Sequence, residues 1–331
     1  MKISMPSSLF VVTVACVLSI MTITSFLVDR KDINTIQTDV IKNWDRFFPF
    51  SQDKKVAVQA QPFNVSTLKQ LSNASFDYKV SMAALNDAKV DQADPRLVKL
   101  ISNYYIEPPS LEPYHLDHPN RLEYSNGQTP LVDSRLNYME GGFYIECGGL
   151  DGEKGSNTLF FEKVRKWNGL LIEGNPSNYA LLKSKHRKAF TMNACLYPQT
   201  YPALVNFHKA FNIGRIMHAK SVSEWNKKNR AKADPAEVQC FPIYSILLAI
   251  NRTTVDFFSL DIEGDELGVL KTIPFKKVNI KMLAVEYSHG KNGPTGLQHF
   301  MERNGYETLL KVSRDDWGVN DLIFRKKGLT H

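Results

Sequence analysis

The chain has 331 residues, of which 43% are hydrophobic, and this is enough to bury a sizeable core, so the composition excludes an intrinsically disordered protein. Its 41 basic and 34 acidic residues give a net charge of +7. The basic residues are scattered and carry no interleaved aromatic motif, so we expect no nucleic-acid partner.

An apolar segment at residues 9–28 carries no charged residue. As a helix it would be about 30 Å long, which matches the hydrocarbon core of a bilayer. It is longer than the apolar part of a usual signal peptide and no clear cleavage site follows it, so we predict an uncleaved transmembrane anchor behind a short tail at residues 1–8. Lys2 on one flank and Arg30 and Lys31 on the other leave its orientation open.

The sequons and cysteines indicate the cellular compartment in which the folded domain lies. The Asn-x-Ser/Thr sequons begin at Asn64, Asn73 and Asn251. Sequons also arise by chance, and their asparagines can be glycosylated only on the lumenal or extracellular side of a membrane. A disulfide between Cys195 and Cys240, with Cys147 free, is a hypothesis consistent with an oxidising lumen. Together these features predict a single-pass type II protein of the endoplasmic reticulum, Golgi or endosomal system, with its folded domain in the lumen.

Residues 29–93 are polar and show little periodicity, which predicts a flexible stem. Asp94 and Pro95 form a good helix start, and Pro108 ends the pattern. The apolar positions of this predicted helix are Leu97, Leu100, Ile101 and Tyr104. The helix and a connector rich in turn-forming residues make up the segment 94–140.

From residue 141 to residue 328, strand-like runs alternate with helical stretches. The predicted strands cover residues 143–145, 170–172, 255–260, 282–285, 308–312 and 322–324. This alternation predicts an α/β domain with a mainly parallel, doubly wound sheet and helices on both faces. Ligands of such sheets bind at the carboxyl ends of the strands.

Three acidic motifs directly follow three of these strands. They are ECGGLDGE at residues 146–153, EGNP at 173–176 and DIEGDE at 261–266. If the strands are parallel neighbours, the motifs converge on one crevice, and their glycines allow the tight turns found in nucleotide-binding loops.

The charge of the first loop distinguishes between ligands. Glu146, Asp151 and Glu153 would repel a phosphate group, so a dinucleotide is disfavoured. S-adenosylmethionine (SAM) has no phosphate, its sulfonium and amino groups are cationic, and its carboxylate could bind Ser156 and Asn157 at the following helix start. These residues therefore favour SAM.

Glu173 ends the second strand, where an acidic residue accepts the ribose hydroxyls in dinucleotide folds. Glu173 could instead cap the following turn, and the glycines could serve only a tight loop. The combination of motifs, rather than any single one, predicts SAM binding.

Several blocks of the sequence resemble those of a known protein family. The blocks FYIECGGLDGEKGSNTLFFEK, WNGLLIEGNPSNYALL, VDFFSLDIEGDELGVLKTIPF and IKMLAVEYSH resemble the successive motifs of the FkbM methyltransferase domain, over about residues 143–325. The upstream blocks DPRLVKLISNYYIEPPS and QTPLVDSRL, with the N-terminal anchor, resemble the animal branch of this family typified by the protein Star.

The resemblance implies a seven-stranded sheet whose last strand is antiparallel. It would place Glu173 on the ribose and Asn193 and Ala194 near the adenine. The residues that it would place around the methionine part of SAM are Glu146, Gly148, Asp151 and Gly152. Gly149, where the family often has alanine, is a mild departure within the same cofactor-binding loop. Asp261 and Glu263 would face the transferred methyl group.

Methyl transfer to oxygen needs an in-line nucleophile and a base that removes its proton. The candidates are Asp261, Glu263 and His289. Asp261 could instead hold SAM or cap the next helix, and His289, flanked by Gly290 and Gly293, could be a mobile loop residue.

A metal site in the DIEGDE motif is a weaker alternative. Its ligands would be Asp261, Glu263, Asp265 and Glu266. No histidine or cysteine accompanies them at a ligand spacing, so we predict no metal.

Two functions compete. The first is SAM-dependent O-methyl transfer to a hydroxyl or carboxyl of a small molecule, glycan or lipid-linked acceptor. The second, which the resemblance to the Star-like branch implies, is a non-catalytic or weakly catalytic factor that binds growth-factor-type membrane cargo and assists its vesicle-mediated export. Fold alone does not decide between them.

Overall fold

The structure is a computed structural model that describes residues 77–218, 222–229, 235–290, 293–314 and 319–329. The predicted tail, the predicted anchor and residues 29–76 of the predicted stem lie outside the described residues. Within the described ranges, no helix has the length and apolar character needed to cross a membrane.

The strands and helices alternate along most of the chain. The strands are β1 Phe143–Cys147, β2 Asn168–Ile172, β3 Phe190–Met192, β4 Cys195–Leu196, β5 Ala203–His208, β6 Arg215–Ile216, β7 Pro235–Phe241, β8 Thr254–Leu260, β9 Asn279–Glu286, β10 Tyr306–Arg314 and β11 Val319–Lys326. The helices are α1 Tyr78–Asp87, α2 Pro95–Tyr104, α3 Gln128–Arg135, α4 Leu159–Val164, α5 Pro176–Ser184, α6 Val222–Asn229, α7 Ile243–Ala249, α8 Glu266–Thr272 and α9 Gly293–Arg303.

Seven strands form the main sheet in the order β10-β11-β9-β8-β1-β2-β3. The five strands from β9 to β3 pair in parallel, whereas β11 is antiparallel to both of its neighbours. The predicted mainly parallel sheet with an antiparallel last strand is therefore confirmed.

Side chains that alternate along β1 enter two different cores. Phe143 and Ile145 belong to the larger cluster, which also contains residues of α2, α7, α8 and α9. Tyr144 belongs to the second cluster, together with Val132 of α3 and Phe161 of α4. This period of two places helices on both faces of the sheet, as predicted.

The predicted flexible stem is wrong for its last part, residues 77–93. Asp77 accepts a hydrogen bond from the backbone N–H of Lys79 and caps α1. Met82, Leu85 and Val90 are buried in the larger core cluster. These few apolar positions lie among many polar residues, so the mean polarity of the segment wrongly indicated a flexible stem. Helix α2 begins at Pro95 behind the Asp94 cap and is confirmed.

A second sheet, with the order β4-β7-β5-β6, was not predicted. Two of its strands have two residues each, and the side chains of β5 are mostly only half-buried or exposed, so no clear alternation marks them in the sequence. The predicted disulfide between Cys195 and Cys240 is present and joins β4 to β7, and Cys147 is a buried free thiol. The disulfide therefore links two neighbouring strands within this sheet.

Candidate functional site

The three acidic motifs converge at the carboxyl ends of neighbouring strands. Strand β1 lies between β2 and β8, so that Cys147 is opposite both Ile172 and Leu260. A cavity of about 360 Å³ opens at this edge of the sheet. The predicted crevice is therefore present where the topology of an open α/β sheet requires it.

Only some of the predicted site residues line the cavity. Those that line it are Gly148, Asn157, Glu173, Ala194, Asp261, Glu263 and His289. Those outside its lining are Glu146, Gly149, Asp151, Gly152, Ser156 and Asn193. The second group shapes the loops behind the cavity.

Glu146 is a buried residue that holds the loop after β1. Its carboxylate accepts hydrogen bonds from Ser156 Oγ at 2.8 Å, the Asn157 N–H at 2.7 Å and Thr158 Oγ1 at 2.6 Å. Both carboxylate oxygens are thus used within the protein. Glu146 and Ser156 stabilise the loop and do not reach into the cavity, contrary to the direct ligand contacts expected of them.

The glycines and Asp151 set the turns of this loop. Gly148 has a φ of +83°, and a side chain there would overlap the carbonyl oxygen of Asp261. Gly152 has a φ of +82° and lies against Leu182. Asp151 Oδ1 accepts the N–H groups of residues 153 and 154 at 2.9 and 2.7 Å. The loops after β1 and β8 can therefore approach closely only with glycine at position 148.

Glu173 lies at the end of β2 and lines the cavity. Its carboxylate accepts the N–H of Leu150 at 2.8 Å and the N–H of Asn175 at 2.7 Å, so it caps the following turn as well as facing the site. Burial raises the pKa of Glu173 to about 7, and the two backbone N–H groups oppose this rise. Asn193 stays behind the cavity and donates to the Glu173 carbonyl at 2.8 Å.

The second sheet supplies one wall of the cavity, which the sequence did not reveal. Phe207, Phe211 and Ile213 line it beside Ala194. The ring of Phe207 packs against the backbone at Gly174. A Cβ atom added to Gly174 would lie only 2.8 Å from this ring. These apolar residues lie on β5 and in the segment that leads to β6, where the sequence has no recognisable periodicity.

The opposite end of the cavity is strongly acidic. Asp261 is exposed to the cavity, yet burial in the surrounding protein and then the charge of Glu263 raise its pKa well above the ordinary value. Burial, followed by Glu286 and Glu266, raises the pKa of Glu263 to about 8. Burial also raises the pKa of Asp321 to about 6. This density of carboxyl groups with raised pKa values marks a candidate functional site.

Glu286 and Asp321 were missed among the site residues. Glu286 ends β9, and Asp321 lies opposite it on β11, where it accepts a hydrogen bond from Gln128. In the sequence, Glu286 directly follows the predicted strand 282–285, which is the same signal that identified the three acidic motifs. Asp321 gave no comparable signal, because its position depends on the pairing of β11 with β9.

His289 contacts the loop after β8. Its Nδ1 lies 2.7 Å from Glu263 Oε2, and the backbone of Glu263 has a φ of +63°. Gly264 lies against the carbonyl of His289, where an added side chain would be 3.1 Å away. The three predicted catalytic candidates, Asp261, Glu263 and His289, therefore share one end of the cavity.

One protein-family model matches the part of the chain that carries most of this site. Residues 146–308 match the family model described as the methyltransferase FkbM domain. This segment, a little under half of the chain, is similar to that family. The match begins at Glu146, so the upstream blocks that resemble the Star-like branch lie outside it. No curated protein matches the chain.

Several solved methyltransferase structures are similar to the chain at low identity. The FkbM methyltransferase of Methylobacillus flagellatus KT is 14% identical, with a TM-score of 0.36, over 79% of this chain and 58% of that protein. Magnesium protoporphyrin IX methyltransferase of Synechocystis PCC 6803, with bound SAM, is 9% identical, with a TM-score of 0.33, over 77% of this chain and 100% of that one. The chain thus spans little more than half of the Methylobacillus protein.

A third similar structure is the 1,6-didemethyltoxoflavin-N1-methyltransferase of Burkholderia thailandensis, with bound 1,6-didemethyltoxoflavin and S-adenosylhomocysteine. It is 8% identical, with a TM-score of 0.31, over 63% of this chain and 81% of that one.

Proposed function

We propose that the domain binds SAM in this cavity and transfers a methyl group to an oxygen of its acceptor. The observation that carries the proposal is the convergence of three loops of an FkbM domain on one cavity, with Glu173 at one side and Asp261 at another. When bound, SAM supplies an electrophilic methyl group. The acceptor is a small molecule, a glycan or a lipid-linked compound with a hydroxyl or carboxyl group.

The residues present fit this cofactor. Asn157 lines the cavity, and its Oδ1 is buried without a hydrogen-bond partner, so it is available to accept a hydrogen bond from a cationic amino group. Glu173 would hold the ribose hydroxyls. Ala194, Phe207 and Ile213 provide an apolar wall suited to an adenine ring.

His289 and Glu263 are placed to manage the acceptor's proton. The imidazole is partly exposed to the cavity, and its Nδ1 faces the carboxylate of Glu263 at 2.7 Å. A neutral imidazole can take a proton from a hydroxyl group, and a neighbouring carboxyl group orients the ring and stabilises its charged form. Asp261 would contribute negative charge near the sulfonium.

We also propose that the domain lies in the lumen of the secretory pathway behind the predicted anchor. The disulfide between Cys195 and Cys240 supports this, because such bonds persist in oxidising compartments. Asn251, the sequon residue within the described ranges, is exposed in a turn after α7 and is accessible to glycosylation. Protease protection of the chain in sealed microsomes tests the orientation, and a protease-sensitive domain would contradict it.

Calorimetric titration of SAM into the full-length chain tests the proposed function. We expect saturable binding with one SAM per chain. Glu173→Gln should weaken binding at least tenfold, because the amide cannot accept hydrogen bonds with both of its terminal atoms. Glu302→Gln, an exposed change on α9, is the matched control and should bind as the natural chain does.

The same titration with S-adenosylhomocysteine separates binding of the adenosine from binding of the sulfonium. Folding of each variant is checked by circular dichroism. A folded natural chain that binds neither compound would contradict the proposal.

A further inference from the structure

Three carboxylates meet at the acidic end of the cavity. Asp261, Glu266 and Glu286 each offer a carboxylate oxygen, and the three oxygens lie within 4.8 Å of one another. We refer to these residues as the carboxylate triad. Ionised groups at this separation repel strongly where water is scarce, so the triad is either partly protonated or has a cationic partner.

The protein does not supply that partner as a cationic side chain. Among the described residues, no lysine or arginine forms an ion pair with a member of the triad. His289 approaches it, with Nδ1 3.5 Å from Glu286 Oε1, but the same nitrogen is closer to Glu263. Elsewhere the domain pairs its acidic groups directly, as in Arg165 with Asp133.

A second observation points independently to a ligand. Glu286 is only 5% exposed and lines the cavity, and its Oε2 is buried without a hydrogen-bond partner. Its other oxygen, Oε1, accepts hydrogen bonds from the N–H and the hydroxyl of Ser288. A buried carboxylate oxygen without a partner is unfavourable, and coordination of a cation satisfies it.

The other two members suit the same role. Glu266 is held in place because its Oε1 accepts the N–H groups of Ile262 and Gly264, both at 3.0 Å. Asp261 is exposed to the cavity, so a bound cation would keep open positions on that side. Oxygen-only ligand sets of this kind select hard cations rather than zinc or copper.

We propose that Asp261, Glu266 and Glu286 bind one hard divalent cation, Mg²⁺ or Mn²⁺, at the end of the methyltransferase cavity. Few protein carboxylates and an open side fit the preference of these ions for retaining several water ligands. The cation site does not depend on SAM binding. A role of the bound cation in orienting the acceptor oxygen, by contrast, rests on the proposed function.

The test uses the full-length chain after treatment with EDTA, in the absence of SAM. Mn²⁺ is titrated and the free ion is measured by electron paramagnetic resonance, with Mg²⁺ and Ca²⁺ as competitors. We expect one Mn²⁺ per chain, displaced by Mg²⁺ more readily than by Ca²⁺. Glu286→Gln, which keeps an acceptor for Ser288, should weaken binding at least tenfold, whereas the surface control Glu302→Gln should not.

Absence of stoichiometric Mn²⁺ binding by the natural chain would overturn the proposal, as would unchanged binding by Glu286→Gln. If that variant does not fold, Asp261→Asn replaces it, with the same expected loss. A chain that binds SAM but no Mn²⁺ overturns the cation site and leaves the proposed function standing. A chain that binds Mn²⁺ but not SAM supports the cation site alone.

Discussion

Two groups of acidic side chains inside the domain are neutralised in different ways. Glu162 of α4 pairs with the fully buried Arg187, whose Nε lies 3.0 Å from Glu162 Oε2, and Tyr144 donates a hydrogen bond to the same oxygen. The carboxylate triad has no comparable cation among the described residues. Glu162 is paired within the protein, whereas the triad has no lysine or arginine partner among the described residues and is neutralised by protonation or, as we propose, by a bound cation.

The paired group also builds the loop beneath the cavity. Arg187 donates hydrogen bonds to the carbonyl oxygen of Gly152 and, at 3.3 Å, to Thr158 Oγ1, which in turn donates to Glu146. A buried arginine with several acceptors fixes the geometry of its surroundings. Buried charge in this domain thus serves structure where it is paired, and we propose that it serves ligand binding where it is not.

The largest effect is expected from Arg187→Met. The substitution leaves Glu162 as an uncompensated buried charge and removes the donor to the Gly152 carbonyl, so the free energy of unfolding should fall by about 3–5 kcal/mol. Equilibrium unfolding in urea measures it. Arg96→Met is the matched control, because Arg96 pairs with Asp94 at the surface, with 69% of its side chain exposed, and should change little. Equal losses in the two variants would contradict the comparison.

A smaller, pH-dependent effect is expected at Glu173, whose carboxylate has backbone N–H partners but no cation. Its pKa is about 7 in the folded chain, against an ordinary value of 4.5, so the folded state keeps a proton that the unfolded state releases. The resulting stability is present below pH 4.5 and is lost as the pH rises to 7.

Glu173→Gln imitates the protonated form of Glu173. Because the two proteins share all other titrating groups, the difference between their unfolding free energies isolates the contribution of Glu173. From pH 5 to pH 8, the natural chain should lose on the order of 1–3 kcal/mol of unfolding free energy relative to Glu173→Gln. Urea unfolding at a series of pH values measures this difference. A difference that is constant with pH would show that Glu173 is ionised throughout, as a paired carboxylate is.

The main sheet and its three acidic loops were predictable because they depend on local signals. Buried strands read as apolar runs, and an acidic residue with glycine directly after such a run marks the ligand edge of a parallel sheet. The roles within the loops were less predictable. Glu146 was expected to reach the ligand, but Ser156, Asn157 and Thr158 satisfy it, and only the folded loop shows that.

The parts that were missed depend on pairing between distant segments. The second sheet has short strands with little apolar alternation, and the sequence does not show that β5 and β7 pair across more than twenty residues. Asp321 faces the site only because β11 lies beside β9. Glu286 could have been found by the rule that identified Asp261, since both directly follow strands predicted from the sequence.

The smallest effect, with the opposite sign to that of Arg187→Met, is expected from Glu286→Gln in the metal-free chain. The substitution removes one charge from the carboxylate triad and supplies an amide that can donate to its neighbours. Two unit charges 4 Å apart repel by about 4 kcal/mol at an effective dielectric constant of 20, and protonation already relieves much of this, so the gain should be on the order of 1 kcal/mol.

Thermal unfolding in EDTA measures the gain, and adding Mn²⁺ should reverse the order, because the bound cation then stabilises the natural chain more than the variant. Glu302→Gln should follow the natural chain in both conditions. A Glu286→Gln variant that is less stable than the natural chain in EDTA would show that Glu286 is paired within the protein. The contrast between the two acidic groups would then fail, since both would be complete without a ligand.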